Sequence, residues 1–119
     1  MAFINFTILT IFSIILIAFA EKIELYSNKY DHIDADTILS NERLRNQYLN
    51  CYLGSGSCIT PDARFLRDTF PEALVTKCKR CTQKQHILFE KITLYFTEKE
   101  PDTWNKILLK AIENSRKRH

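Results

Sequence analysis

The chain is 119 residues long and carries 17 basic and 14 acidic side chains, a formal charge of +3. That charge is too small and too evenly mixed with acids to serve nucleic acid, and its one concentrated patch is the tail Arg116-Lys117-Arg118-His119. Only 2 Gly and 3 Pro punctuate the sequence, too few for a strand-and-turn architecture, and the apolar residues recur with helical spacing instead.

The first segment, Met1 to Ala20, has no charged side chain. Ile8 to Ile17 is apolar apart from Thr10 and Ser13, and Ala18-Phe19-Ala20 forms a small-x-small cleavage pattern before Glu21 and Lys22. This is the layout of a secretory signal peptide whose n-region relies on the α-amino group alone. A transmembrane anchor is the rival reading, since about 20 apolar residues span a bilayer, but no basic cluster flanks either end. Cleavage after Ala20 would remove the Asn5-Phe6-Thr7 sequon, so no N-linked glycan is expected. Residues 21–119 would remain as one secreted, extracellular domain. A domain of that size buries only about two-thirds of its unfolded surface, so covalent cross-links would help it.

Taking the elements in order, Asp34 or Asp36 can cap a short turn through Ile38 and Leu39. A helix starting near Asn41 puts Leu44, Tyr48, Cys51 and Tyr52 on one face and stops at Gly54-Ser55-Gly56, where Gly can take the left-handed cap conformation. Thr60 is the next N-cap, with Pro61 at the first helical position and Asp62 in the positive first turn. Leu66, Phe70, Ala73 and Leu74 then share a face, and Pro71 within it predicts a kink or two short helices. Thr82-x-x-Gln85 is a capping box that opens the longest segment, with Leu88, Ile92, Tyr95 and Phe96 aligned. Pro101 ends it and begins a last helix with the stripe Trp104, Ile107, Leu108, Ala111 and Ile112. The fold class is all-α.

Four cysteines, Cys51, Cys58, Cys78 and Cys81, lie in the part that survives cleavage. In a short secreted chain they imply two disulfides, with three possible connectivities. Pairing sequence neighbours is the cheap choice, each small loop contributing about 2 to 2.5 kcal/mol, whereas crossed pairings would close longer loops and contribute more. Cys78-Lys79-Arg80-Cys81 is formally a redox C-x-x-C, but no strand precedes it. The six residues between Cys51 and Cys58 are too many for a usual zinc knuckle, and the secretory route favours oxidation.

These spacings, C-x6-C followed by C-x2-C with Thr60-Pro61-Asp62 after the second Cys, resemble the insect chemosensory proteins, the OS-D-like family. The likeness extends through Tyr30-Asp31 and Asp34, Leu39-Ser40-Asn41-Glu42-Arg43-Leu44, Pro71-Glu72-Ala73-Leu74, Thr82-x-Lys84-Gln85 and Pro101-Asp102-Thr103-Trp104, covering about residues 26 to 108. The resemblance implies five or six short amphipathic helices around an internal hydrophobic channel, with disulfides Cys51–Cys58 and Cys78–Cys81. It also implies extracellular carriage of semiochemicals or long-chain fatty acids, alcohols or esters, without catalysis.

Three departures stand out. The gap between Cys58 and Cys78 holds 19 residues, one more than usual, with Ile59 the extra one. Ala63 stands where Gly is common. After Trp104 the family usually runs through a Lys-Tyr-Asp-Pro word into a sixth helix, whereas here Ala111-Ile112-Glu113-Asn114 lead into the basic tail. The channel end near Ile107 to Ile112 is therefore expected to be exposed.

The group expected to line a pocket is Leu44, Tyr48, Leu66, Phe70, Leu74, Leu88, Ile92, Tyr95, Phe96 and Trp104, although each alone would be core in any helical protein. Tyr and Trp among them join an apolar body to a hydrogen-bonding tip suited to a ligand's polar head. His32, His86 and His119 are scattered, and Asp31, Asp34 and Asp36 lack the Gly and terminal Glu of a calcium loop, so no metal or cofactor is expected. There is no nucleophile motif or phosphate-cradling loop, so no enzyme is expected. The expected partners are a small lipophilic ligand and a membrane receptor, for a monomeric protein. The alternative is a secreted helical interaction or signalling protein without a ligand cavity.

Overall fold

A computed structural model describes residues 22–118; the expected signal peptide lies outside the described residues. Five helices follow in order: α1 (Ala35–Ser40), α2 (Glu42–Leu53), α3 (Pro61–Thr76), α4 (Gln83–Lys99) and α5 (Pro101–Arg118). The described residues contain no strand.

Local chemistry accounts for most boundaries. The Asp34 carboxylate accepts from the Asp36 backbone N–H at 3.0 Å, so Asp34 is the cap of α1. Asn41 ends α1 and caps α2 through its side-chain oxygen, which accepts from Leu44 N–H at 3.1 Å. Gly54 closes α2 at φ 80°, a left-handed conformation that costs other residues about 1 kcal/mol or more. Thr60 caps α3 by accepting from Ala63 N–H at 3.3 Å. The capping box of α4 is complete: Gln85 N–H donates to Thr82 Oγ1 at 3.2 Å, and Thr82 N–H donates to Gln85 Oε1 at 2.9 Å.

Of the two outcomes expected at Pro71, a kink or two short helices, the structure excludes the second. The helix runs through buried Pro71 without interruption, so there are not two short helices. Burial of Leu66, Phe70 and Ala73 on the same face holds the segment together despite the missing donor. Its end is unusual, because Lys77 and Cys78 both have positive φ, 55° and 61°. The N–H groups of both residues converge on the Ala73 carbonyl, which caps the helix and turns the chain into the Cys78–Cys81 ring.

Both disulfides join sequence neighbours, Cys51 to Cys58 across the Gly54 turn and Cys78 to Cys81 between α3 and α4. The first binds the end of α2 to the start of α3. The second ring also holds the segment before α1. Tyr26 N–H donates to Arg80 O at 2.8 Å, Arg80 Nε donates to Glu24 O at 2.7 Å, and the Arg80 guanidinium lies 4.9 Å from the Tyr26 ring centre. Gln85, 1% exposed, extends this attachment by donating from Nε2 to Ser27 O at 2.9 Å and Asp31 Oδ1 at 3.0 Å.

The core is a chain of aromatic rings between layers of helix. Tyr52 meets Phe70 edge-on at 5.7 Å, and Phe70 meets Phe89 at 5.1 Å. The last helix makes its most extensive packing with α3, then with α4 and α2. The expected exposure of its apolar stripe is accordingly corrected. Ile107 and Ala111 are each only 2% exposed, whereas Ile112 is 47% exposed. Residues four apart lie on one face and dock into the bundle, while Ile112, one position on, is rotated about 100° away.

Candidate functional site

An apolar cleft opens into the bundle, with each of the five described helices contributing to its wall. Ala35, Ile38 and Leu39 come from α1, and Arg45, Tyr48, Leu49 and Tyr52 from α2. Leu66 and Phe70 project from α3, Leu88, Ile92 and Phe96 from α4, and Ile107 from α5. These positions recur at helical spacing on each element, so the cleft is the seam where five apolar stripes face one another.

The open volume inside is about 60 Å³. Pockets that hold a small organic ligand run from about 300 Å³ upward. In this conformation the cleft is a nearly closed seam rather than a ready tunnel.

Of the ten residues expected to line a pocket, the structure brings six to this wall: Tyr48, Leu66, Phe70, Leu88, Ile92 and Phe96. The other four stand elsewhere. Leu44 faces a small depression with Ile59 and Thr60 at the α2–α3 loop. Leu74 lies one turn beyond Phe70 on α3, beside Phe89 and His86. Tyr95 sits edge-on to Phe96 at 5.1 Å, and Trp104 is half-buried against the core.

The wall also contains residues outside that expected group: Tyr52 and Ile107 belong to the predicted apolar faces, whereas Arg45 and Leu49 do not. On α2 the inward face is Arg45, Leu49 and Tyr52, a register one position beyond Leu44; the i, i+4, i+7 spacing of those three is the signal that could have found it. Ile38, Leu39 and Ile107 were visible as apolar positions, but not as cleft positions.

Polar atoms in the cleft are few and mostly engaged. The Tyr52 hydroxyl donates to Ile107 O at 2.9 Å, and burial pushes its phenol well above the usual range. The Tyr48 hydroxyl donates to Asp62 Oδ2 at the start of α3, and burial reinforced by that bond raises its phenol likewise. Arg45 differs. Its side chain is 17% exposed, Nη1 donates to Leu39 O at 2.7 Å, and the guanidinium lies 5.1 Å from the centre of the Tyr95 ring. Nε is buried without a hydrogen-bond acceptor among the described residues; Glu100 Oε2, 3.5 Å away, neutralises charge but does not supply that bond.

A disulfide-stapled helical bundle with an apolar seam between its helices is an architecture suited to binding small apolar molecules. The chain belongs to the insect pheromone-binding family A10/OS-D, whose pattern it matches over residues 26–119. It is 36% identical to ejaculatory bulb-specific protein 3 of Drosophila melanogaster over 102 residues, 86% of this chain and 78% of that one. It is 40% identical to the allergen Tha p 1 of Thaumetopoea pityocampa over 87 residues, 73% of this chain and 68% of that one. Among solved structures, it superposes on a chemosensory protein in complex with bromo-dodecanol with a TM-score of 0.68 at 30% identity, covering 78% of this chain and 92% of that one.

Proposed function

We propose that this protein is an extracellular carrier of single-chain lipophiles, released by signal cleavage after Ala20. The observation that carries the reading is the seam itself: five helices turn apolar faces to one space whose wall has almost no unengaged polar atom. Water gains little there, and an alkyl chain would replace unfilled apolar surface with contact. The relative that holds bromo-dodecanol supports a ligand of this kind.

Burying about fourteen methylenes contributes about 11 kcal/mol at about 0.8 per CH₂. Association and ordering cost at least about 4 kcal/mol, which leaves a dissociation constant of about ten micromolar or weaker. The seam has to widen to accept such a chain, and that opening draws on the same free energy. Short ligands gain too little to open it, so affinity rises steeply with chain length.

Displacement of an apolar fluorescent dye by octanol and hexadecanol tests this. Saturable displacement by hexadecanol and far weaker displacement by octanol is expected. Equal effects of the two, or no saturable dye binding, would identify a cavity-free bundle. Intact mass of the secreted product, beginning at Glu21, checks the cleavage.

A further inference from the structure

The cleft has one polar group that its own surroundings leave incompletely satisfied. A guanidinium presents five N–H donors in a fixed plane, and burying it is costly unless they find acceptors. Arg45 spends Nη1 on the Leu39 carbonyl and sits over the Tyr95 ring, but its buried Nε–H has no acceptor among the described residues. The carboxylate of Glu100 lies 3.5 Å from that nitrogen, beyond good hydrogen-bond geometry, and is itself 36% exposed. The two tyrosine tips in the wall cannot fill the role of a head-group donor in this conformation, because Asp62 and Ile107 O already take them.

We infer that Arg45 is the head-group anchor of the cleft, and that the favoured ligand is a long-chain carboxylic acid rather than the matching alcohol or ester. The inference rests on the carrier reading and names its ligand class. The acid's alkyl chain lies along the seam toward buried Phe70 and Leu88, and its carboxylate takes the open Nε–H together with a neighbouring guanidinium N–H. Glu100 is the internal competitor: it balances Arg45 in the empty protein and turns to solvent when the ligand's carboxylate replaces it. An alcohol supplies one neutral acceptor and an ester no charge, so neither displaces Glu100 as well.

The test measures displacement of an apolar dye from the disulfide-bonded chain by hexadecanoic acid, hexadecanol and methyl hexadecanoate at neutral pH. The native chain is expected to bind the acid about tenfold more tightly than the alcohol, the margin between a charge-assisted and a neutral hydrogen bond. Arg45→Leu should remove that preference, and Glu100→Gln should widen it. An acid-to-alcohol ratio near one in the native chain, or one that Arg45→Leu leaves unchanged, overturns the anchor and leaves the carrier intact. If no chain binds the native protein, the carrier reading fails and the anchor with it. Should Arg45→Leu fail to fold, Glu100→Gln decides, and an unchanged ratio there overturns the inference.

Discussion

The Tyr48 hydroxyl donates to the Asp62 carboxylate, joining the middle of α2 to the first turn of α3 beside the Cys51–Cys58 bridge. Burial opposes ionisation of Asp62, but hydrogen bonds from Thr60, Tyr48 and local backbone N–H groups outweigh it and hold the carboxyl below its ordinary 3.8. Tyr48 is shifted the other way, above its ordinary 10.0, first by burial and then by this bond. A depressed carboxyl contributes stability above its unfolded value and loses it as pH falls through the folded one. A raised phenol contributes below its unfolded value and loses it as pH rises through the folded one. The bond therefore contributes in the window between these limits. Tyr48→Phe is expected to cost about 1 kcal/mol at neutral pH, since the pair is partly solvated. Urea titrations should show that difference shrinking under acid and strongly alkaline conditions. Ultraviolet titration should show the Tyr48 and Tyr52 phenols still neutral at pH 10.0, where a free phenol is half ionised.

Lys77 holds a left-handed conformation, φ 55°, with its side chain exposed. A Cβ there is a steric burden that Gly lacks, partly offset by Gly's greater freedom in the unfolded chain. Lys77→Gly is expected to stabilise the protein by about 0.5 to 1 kcal/mol, read as a rise in the midpoint of thermal unfolding. A lower midpoint would mean that the Lys77 side chain contributes more than its backbone costs.

Gln85 ties the capping box of α4 to Ser27 and Asp31 in the segment before α1. Gln85→Ala would remove the donor to Ser27 O and Asp31 and the acceptor of the Thr82 N–H, at about 1 to 3 kcal/mol. Hydrogen exchange should accelerate first around residues 22–34, ahead of α4 itself, because only the segment loses its attachment while the helix retains its own ladder. Uniform acceleration along the chain would show that the segment and the bundle open together.

Ile107 is 2% exposed and forms the cleft wall that α5 supplies, with Trp104 one turn before it and packed against the core. Ile107→Ala is expected to cost about 2 to 5 kcal/mol in stability and to admit bulkier ligands by enlarging the seam. Trp104 emission should change with hexadecanol and remain nearly constant with octanol, because the indole responds when the bundle spreads around a chain rather than to direct contact. Trp104→Phe should abolish the signal and preserve dye binding. Loss of dye binding with an unchanged melting midpoint would place the indole in contact with ligand.

The start and stop signals were legible in the chain because they are short-range chemistry. Asn41, Thr60 and the Thr82–Gln85 box each bond to backbone within three residues, and Gly54 ends α2 by its own conformational freedom. The cysteine spacing, together with the words around it, likewise reached the correct disulfides. Lys77 gave no such signal, since nothing in its side chain announces a left-handed cap, and Gln85 was visible only as a capping residue, not as the tie to Ser27.

Which apolar residues face the seam was a different matter. Leu44 and Leu49 are equally apolar and lie on one amphipathic helix; which of them faces the seam is a matter of the helix's rotation about its axis. That rotation is set by how five elements pack at once, with the α3–α5 interface and the Tyr52–Phe70–Phe89 stack fixing the register. The same packing turned Arg45, a charged residue that sequence alone places at the surface, into the wall of an apolar cleft. Periodicity records that a helix has a buried side. Only the assembled bundle, where long-range contacts decide which part of that side meets another helix and which borders the gap between them, separates core from cleft.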